Sequence, residues 1–170
     1  LYSLYLKDLN FLFDGKVKID YFNEKIDYYG NFYYENLQSN INVEMTKKIA
    51  KFYLVSEPFK SLKFLKNFLH LPNIAESWMY DNVKGDIKIE ELYAEYDLIN
   101  NHIIENSIQG KAQIKDAKIR FHKDVDAVNT KSLDIFFKDN RLHFNLMEPM
   151  FKDKKLDGSF VLINNLTSEK

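Results

Sequence analysis

The sequence predicts a mainly β domain: one antiparallel sheet with a short helical pair inserted at about residues 58–82. Three observations predict it. Apolar and charged residues alternate with period two along most of the chain, the signature of half-buried strands. The alternating runs are joined by short polar turns, which suit antiparallel hairpins rather than parallel crossovers of a dozen or more residues. The period changes to three and four only once, between Pro58 and Asn82. The organisation read from this is one domain over 1–170, with strands over 1–57, the helical pair over 58–82 and strands over 83–170.

The elements follow in chain order. Val17, Ile19 and Tyr21 share one side of a strand whose other side is Lys16, Lys18 and Asp20. After a turn at Phe22–Lys25, Ile26, Tyr28, Gly30, Phe32 and Tyr34 continue the period, then Ile41, Val43 and Met45, then Phe52 opposite Tyr53. Phe59, Leu62, Leu65, Phe68 and Leu69 have helical spacing behind a Pro suited to a first turn, and Asn73 caps a second helix running through Trp78. Ile87 and Ile89 resume the strand pattern against Asp86, Lys88 and Glu90. Ile108, Gly110, Ala112 and Ile114 form the next run, and Ala117, Ile119 and Phe121 lie one step out of phase with it, which places a turn or bulge near Lys115 and Asp116. Leu133, Ile135 and Phe137, then Leu142, Phe144 and Leu146, then Leu156, Gly158, Phe160 and Leu162 complete the strands.

Composition removes several function classes. The 24 basic and 25 acidic residues are interspersed and nearly cancel, so there is no electrostatic footprint for nucleic acid. The absence of cysteine excludes disulfides and thiolate chemistry. His70, His102, His122 and His143 lack metal-ligand spacing, the carboxylate pairs Glu90–Glu91 and Asp124–Asp126 lie in solvated alternating runs, and no nucleophile elbow or phosphate loop is present. No enzyme, cofactor or metal site is read. The tripeptide at Asn165 matches a glycosylation acceptor, a pattern common by chance.

The succession of Trp78 leading into a strand at Gly85, the run Gly110–Phe121, and Phe137–Leu142 followed by Gly158 resembles the AsmA-like superfamily of Gram-negative envelope proteins, in its YhdP-type branch. The family's Pro-containing linker is absent from His122–Thr130. The resemblance implies a curved sheet that forms an apolar-lined groove, in a periplasmic protein anchored in the inner membrane by a segment outside this chain. The opening at Leu1, in mid-strand character, suits a piece of a longer protein. The resemblance also implies phospholipid as cargo, carried by its acyl chains between inner and outer membranes, with outer-membrane components as further partners. The groove lining on this reading is Ile87, Ile89, Ile108, Ala112, Ile114, Ile119, Phe121, Leu133, Ile135, Phe137, Leu142, Phe144, Leu146, Phe160 and Leu162. The alternative is a structural or interaction β-module of the envelope, either a closed sandwich or a strand-pairing scaffold. A hydrolase with a polar concave pocket stands third. The helices around Trp78 pack on the sheet or cap its end, and Met147, Met150 and Phe151 fill gaps near Pro149.

Overall fold

The computed structural model describes residues 2–7, 10–63, 76–104, 107–122, 124–139, 141–156 and 158–164. The chain divides into two compact units, one of Leu1–Pro58 with Ile89–Gly110, the other of Phe59–Lys88 with Lys111–Lys170. The strands are β1 (Tyr2–Leu6), β2 (Phe11–Asp20), β3 (Lys25–Tyr34), β4 (Leu37–Met45), β5 (Ile49–Ser56), β6 (Val83–Asp97), β7 (His102–Ile103), β8 (Gln109–Ile119), β9 (Val128–Lys138), β10 (Arg141–Met147), β11 (Met150–Phe151), β12 (Lys154–Lys155) and β13 (Phe160–Asn164). They form one sheet in the order β1-β2-β3-β4-β5-β6-β8-β9-β10-β13.

In the first unit every described strand pair is antiparallel, and one row of partners crosses five strands: Gly15, Gly30, Ile41, Leu54 and Leu92. Side chains alternate along a strand, so this row and its neighbours two residues away share a side of the sheet. Two of the hairpin turns have the same construction. In the turn after β2, Asp20 Oδ1 accepts the N–H groups of Phe22 and Asn23, both at 3.1 Å, and Oδ2 accepts from Asn23 Nδ2 at 2.9 Å. In the turn after β6, Asp97 Oδ1 accepts from Ile99 and Asn100 at 2.8 and 2.9 Å, and Oδ2 from Asn100 Nδ2 at 2.9 Å. Each closes on a left-handed residue, Glu24 at φ 52° and Asn101 at φ 54°. An aspartate mimicking a backbone acceptor is the local device that stops a strand here.

In the second unit, Phe144 of β10 pairs with Ile135 of β9 and with Val161 of β13. The phase slip expected near Lys115 is present inside β8: Asp116 is left-handed at φ 50°, and two successive exposed residues, Lys115 and Asp116, separate buried Ile114 from buried Ala117. Gly85 of β6 accommodates that bulge. A Cβ there would stand 2.5 Å from Ile114 Cγ2 and 2.6 Å from the Lys115 carbonyl oxygen.

The helical pair expected over 58–82 is not found among the described residues. Phe59, its first apolar position, exchanges two backbone hydrogen bonds of 2.8 Å with Ile87 in an antiparallel bridge. Extended β6 supplies the partner its backbone needs, and this overrides the helical spacing. Ser77–Asp81 closes a single π-helical turn. Residues 64–75, which include Leu65, Phe68, Leu69 and Asn73, lie outside the described residues. Among the described residues, no helix is long and apolar enough to cross a membrane.

Candidate functional site

The first unit builds its apolar side from six strands. On β2 it presents Phe11, Phe13, Gly15, Val17 and Ile19, and on β3 Ile26, Tyr28, Gly30, Phe32 and Tyr34. β4 adds Ile41, Val43 and Met45, β5 adds Ala50, Phe52 and Leu54, and β6 adds Leu92, Ala94 and Tyr96. Leu4 and Leu6 of β1, opposite Phe13 and Phe11, extend it to the edge. Aromatic rings pave the centre: Phe11 meets Phe32 and Tyr34 edge-on, each at 5.0 Å between centroids, and Phe13 lies 5.1 Å from Phe32. Beside them Gly15 and Gly30 face each other, and the Tyr28 ring crosses the gap they leave, its hydroxyl donating to the Asn31 carbonyl at 2.9 Å. Burial pushes the Tyr28 phenol pKa above its ordinary value.

The polar groups on this side are satisfied. Ser39 Oγ donates to the Phe32 carbonyl at 3.3 Å, and Ser56 Oγ accepts the Ile89 N–H at 2.8 Å. Most of the apolar side chains are half-buried, Ile41 and Ala50 are buried, and Val17 and Ile19 are each 51% exposed. The substantial contacts of each strand are with its hydrogen-bonded neighbours.

The other side of the same strands mixes ion pairs with tyrosines, among them the row Tyr29, Tyr53 and Tyr93. Lys25 Nζ bridges Glu44 at 2.8 Å and Asp27 at 3.1 Å, and Lys51 approaches Glu95 at 3.9 Å. The Glu44 and Asp27 carboxylates raise the Lys25 pKa further. The Tyr93 hydroxyl donates to Glu95, and that bond, with burial and the negative charges of Glu95 and Glu44, pushes the phenol up to about 12.

The expected lining residues are distributed unevenly. In the second unit Leu133, Ile135 and Phe137 stand opposite Leu146, Phe144 and Leu142, so these six do share a side. Gln113 Nε2 donates to Asp134 at 3.3 Å and Lys111 lies 5.5 Å above the Phe136 ring. Those contacts fall on the other side, which puts Ala112 and Ile114 with the six. Ile114, Ile119, Leu133 and Phe144 are buried, as is Ile87, while Ile135, Phe137, Leu142 and Leu146 are half-buried. Phe121 is exposed beyond the end of β8.

Two placements differ from the expectation. Phe160 and Leu162 pair with Asn145 and His143, on the side opposite Phe144, and the inward positions of β13 belong to Val161 and Ile163. Phe160-Val161-Leu162-Ile163 is apolar at every position, so pairing rather than periodicity selects the side. Phe160 instead extends an outer row in which Phe136 lies 6.3 Å from His143 and His143 5.8 Å from Phe160. The second is Ile89, in the first unit with half-buried Ile108. An odd spacing separates Ile89 from Leu92, and the doubled Glu90–Glu91 marks where the apolar side of β6 changes.

The expectation also passed over Phe13, Tyr28, Phe32, Val43 and Phe52. The signal that finds them is the same alternation, over residues 11–56. Among the described residues no three metal-ligating side chains converge.

The sequence model of the family described as YhdP protein matches residues 69–170, more than half of the chain. No curated protein and no solved structure matches.

Proposed function

The chain belongs to the YhdP protein family, and from that membership we propose that it is a segment of a periplasmic, inner-membrane-anchored protein whose apolar sheet sides carry phospholipid acyl chains between the inner and outer membranes. The family points to the Gram-negative envelope. The observation that carries the finer reading is the apolar side of the first unit: paved with aromatic and aliphatic side chains across six strands, open to solvent at Val17 and Ile19, and backed by a side that carries the Lys25–Glu44 and Lys25–Asp27 ion pairs. Such a surface shields hydrocarbon. Each 100 Å² of acyl chain laid on it is worth about 2.5 kcal/mol, and no group needs to react. A dry sandwich would hold these residues nearly fully buried.

Photoreactive side chains test this in the full-length protein in cells. Placed at Phe13, Val17 and Val43 they capture phospholipid, and placed at Asp14, Lys18 and Asn42 on the other side they do not. Equal labelling of the two sides, or none on the apolar side, rejects transport and leaves the strand-pairing scaffold.

A further inference from the structure

We propose that one end of the first unit is a bilayer-contacting rim, at which Tyr21, Phe22 and Ile99 enter the headgroup–acyl boundary of a phospholipid membrane. Neighbouring strands alternate in direction, so β2, β4 and β6 all point the same way and the turns that follow them share one end of the unit. Lys47 of the β4–β5 turn forms an ion pair with Glu24 of the β2–β3 turn, and the Leu98 N–H donates to the Lys48 carbonyl at 2.8 Å. The three turns are therefore tied side by side.

Two of them are the aspartate-clamped turns, and both present apolar residues at their tips. Tyr21 is 82% exposed, Phe22 99% and Ile99 63%. A mobile loop would fold such side chains back onto the sheet. These turns hold them outward, because Asp20 and Asp97 each tie two backbone N–H groups and an asparagine amide.

The area available selects the occupant. A phenylalanine or tyrosine buries roughly 150–250 Å², so three separate tips together offer less than the roughly 800 Å² per partner that a stable protein interface buries. A bilayer has no such threshold, since each inserted side chain contributes by itself. Tyrosine also suits the water–lipid boundary, where its ring is buried and its hydroxyl stays wet. Charge fixes the mode of attachment. The clamping aspartates are engaged within their turns, Glu24 and Lys47 neutralise each other, and Lys48 adds one positive charge. With no basic cluster, insertion holds the rim rather than attraction to anionic headgroups, and salt has little effect.

This inference goes beyond the carriage of acyl chains, because rim contact needs no chain on the sheet. The natural chain contains no cysteine, so Phe22→Cys and Asn42→Cys each carry one environment-sensitive fluorophore on an otherwise intact protein. With vesicles of phosphatidylcholine, with or without phosphatidylglycerol, the label at position 22 shifts to the blue and the label at 42 does not. Phe22→Ser weakens vesicle partitioning about tenfold or more. The triple change Tyr21→Ser, Phe22→Ser and Ile99→Ser abolishes it, with an unaltered melting curve as the check on folding. A label at 22 that stays in water, a triple variant that partitions like the natural chain, or binding that appears only with phosphatidylglycerol and vanishes with salt overturns the rim. Acyl crosslinking at Val43 is read separately, so failure of the rim and failure of the transport surface are distinguishable.

Discussion

On the apolar side of the second unit, Leu133 is 0% exposed, and Ile114, Ile119 and Phe144 are buried beside it. On the apolar side of the first unit, Leu37, Ile41 and Ala50 are buried, Phe13, Tyr28, Phe32, Val43 and Phe52 are half-buried as Ile135, Phe137, Leu142 and Leu146 are in the second, and Val17 and Ile19 are open to solvent. Both are written in the same period-two pattern. In the second unit the pattern buries its innermost residues on β8, β9 and β10 to 2% exposure or less. In the first it also buries a centre, at Ile41 and Ala50, but leaves the end of β2 open to solvent at Val17 and Ile19. On the proposed reading, a lining role falls to the exposed Val17 and Ile19 rather than to the buried residues of either unit.

Charge substitution separates the two most widely. Leu133→Asp puts an unpaired carboxylate where no water reaches, and is expected to cost about 3–5 kcal/mol, seen as loss of the cooperative unfolding transition of the second unit. If Leu133→Asp unfolds at the natural denaturant midpoint, the second unit has no core in this sense. Smaller, and confined to the first unit, is Gly30→Ala. Its new Cβ would lie 2.4 Å from the Asp14 carbonyl oxygen and 2.6 Å from Gly15 Cα, so β2 and β3 must part, at about 1–3 kcal/mol by chemical denaturation.

Val17→Asp, on the open side, should change stability by no more than about 0.5 kcal/mol while removing acyl crosslinking at neighbouring Val43. A collapse of stability there would show that the first unit is covered after all.

The aspartate turns set an acid boundary for the first unit alone. Hydrogen bonds from Asn23 to Asp20, and from Asn100 to Asp97, hold both carboxyls below their ordinary pKa. The turns therefore contribute fully above the unfolded value of about 4 and weaken as pH falls through the lower folded values. The protection factors of the Phe22 and Ile99 amides, taken against the intrinsic exchange rate at each pH, should fall on acidification while that of Leu133 does not. Last and smallest is a spectroscopic effect: ionisation of Tyr93, near pH 12 in the intact chain, should move back toward its ordinary value of about 10 in Glu95→Gln, with little change in unfolding.

The first hairpin was legible from its polar turn at Phe22–Lys25, whereas the hydrogen-bonding pattern by which Asp20 and Asp97 stop their strands emerges only in the structure. The β8 bulge was legible because Lys115 and Asp116 are two polar residues in succession within an alternating run. The same sign at Glu90–Glu91 marks the change of side in β6, which separates Ile89 from Leu92. What was not legible had a competing or an absent signal. Phe59 has helical spacing to Leu62 and yet bridges to Ile87, a partner remote in sequence. The four apolar residues of β13 carry no period at all, so Phe160 and Leu162 could be placed only by their pairing with Asn145 and His143. The apolar side of the first unit is written in the alternation of residues 11–56, while the motifs that carry the family resemblance lie from Trp78 onward.

Within the first unit β1 to β5 lie in space in the order in which they occur in the chain, as do β8, β9 and β10 in the second. Such a ladder is nearly one-dimensional: each strand is templated by the one before it, contact order stays low, and growth can proceed from the N-terminal side without waiting for a distant partner. A polypeptide that emerges linearly from a ribosome or a translocation pore can therefore acquire its structure hairpin by hairpin. The same locality makes length an easily varied trait, because adding or removing a hairpin disturbs only its two neighbours.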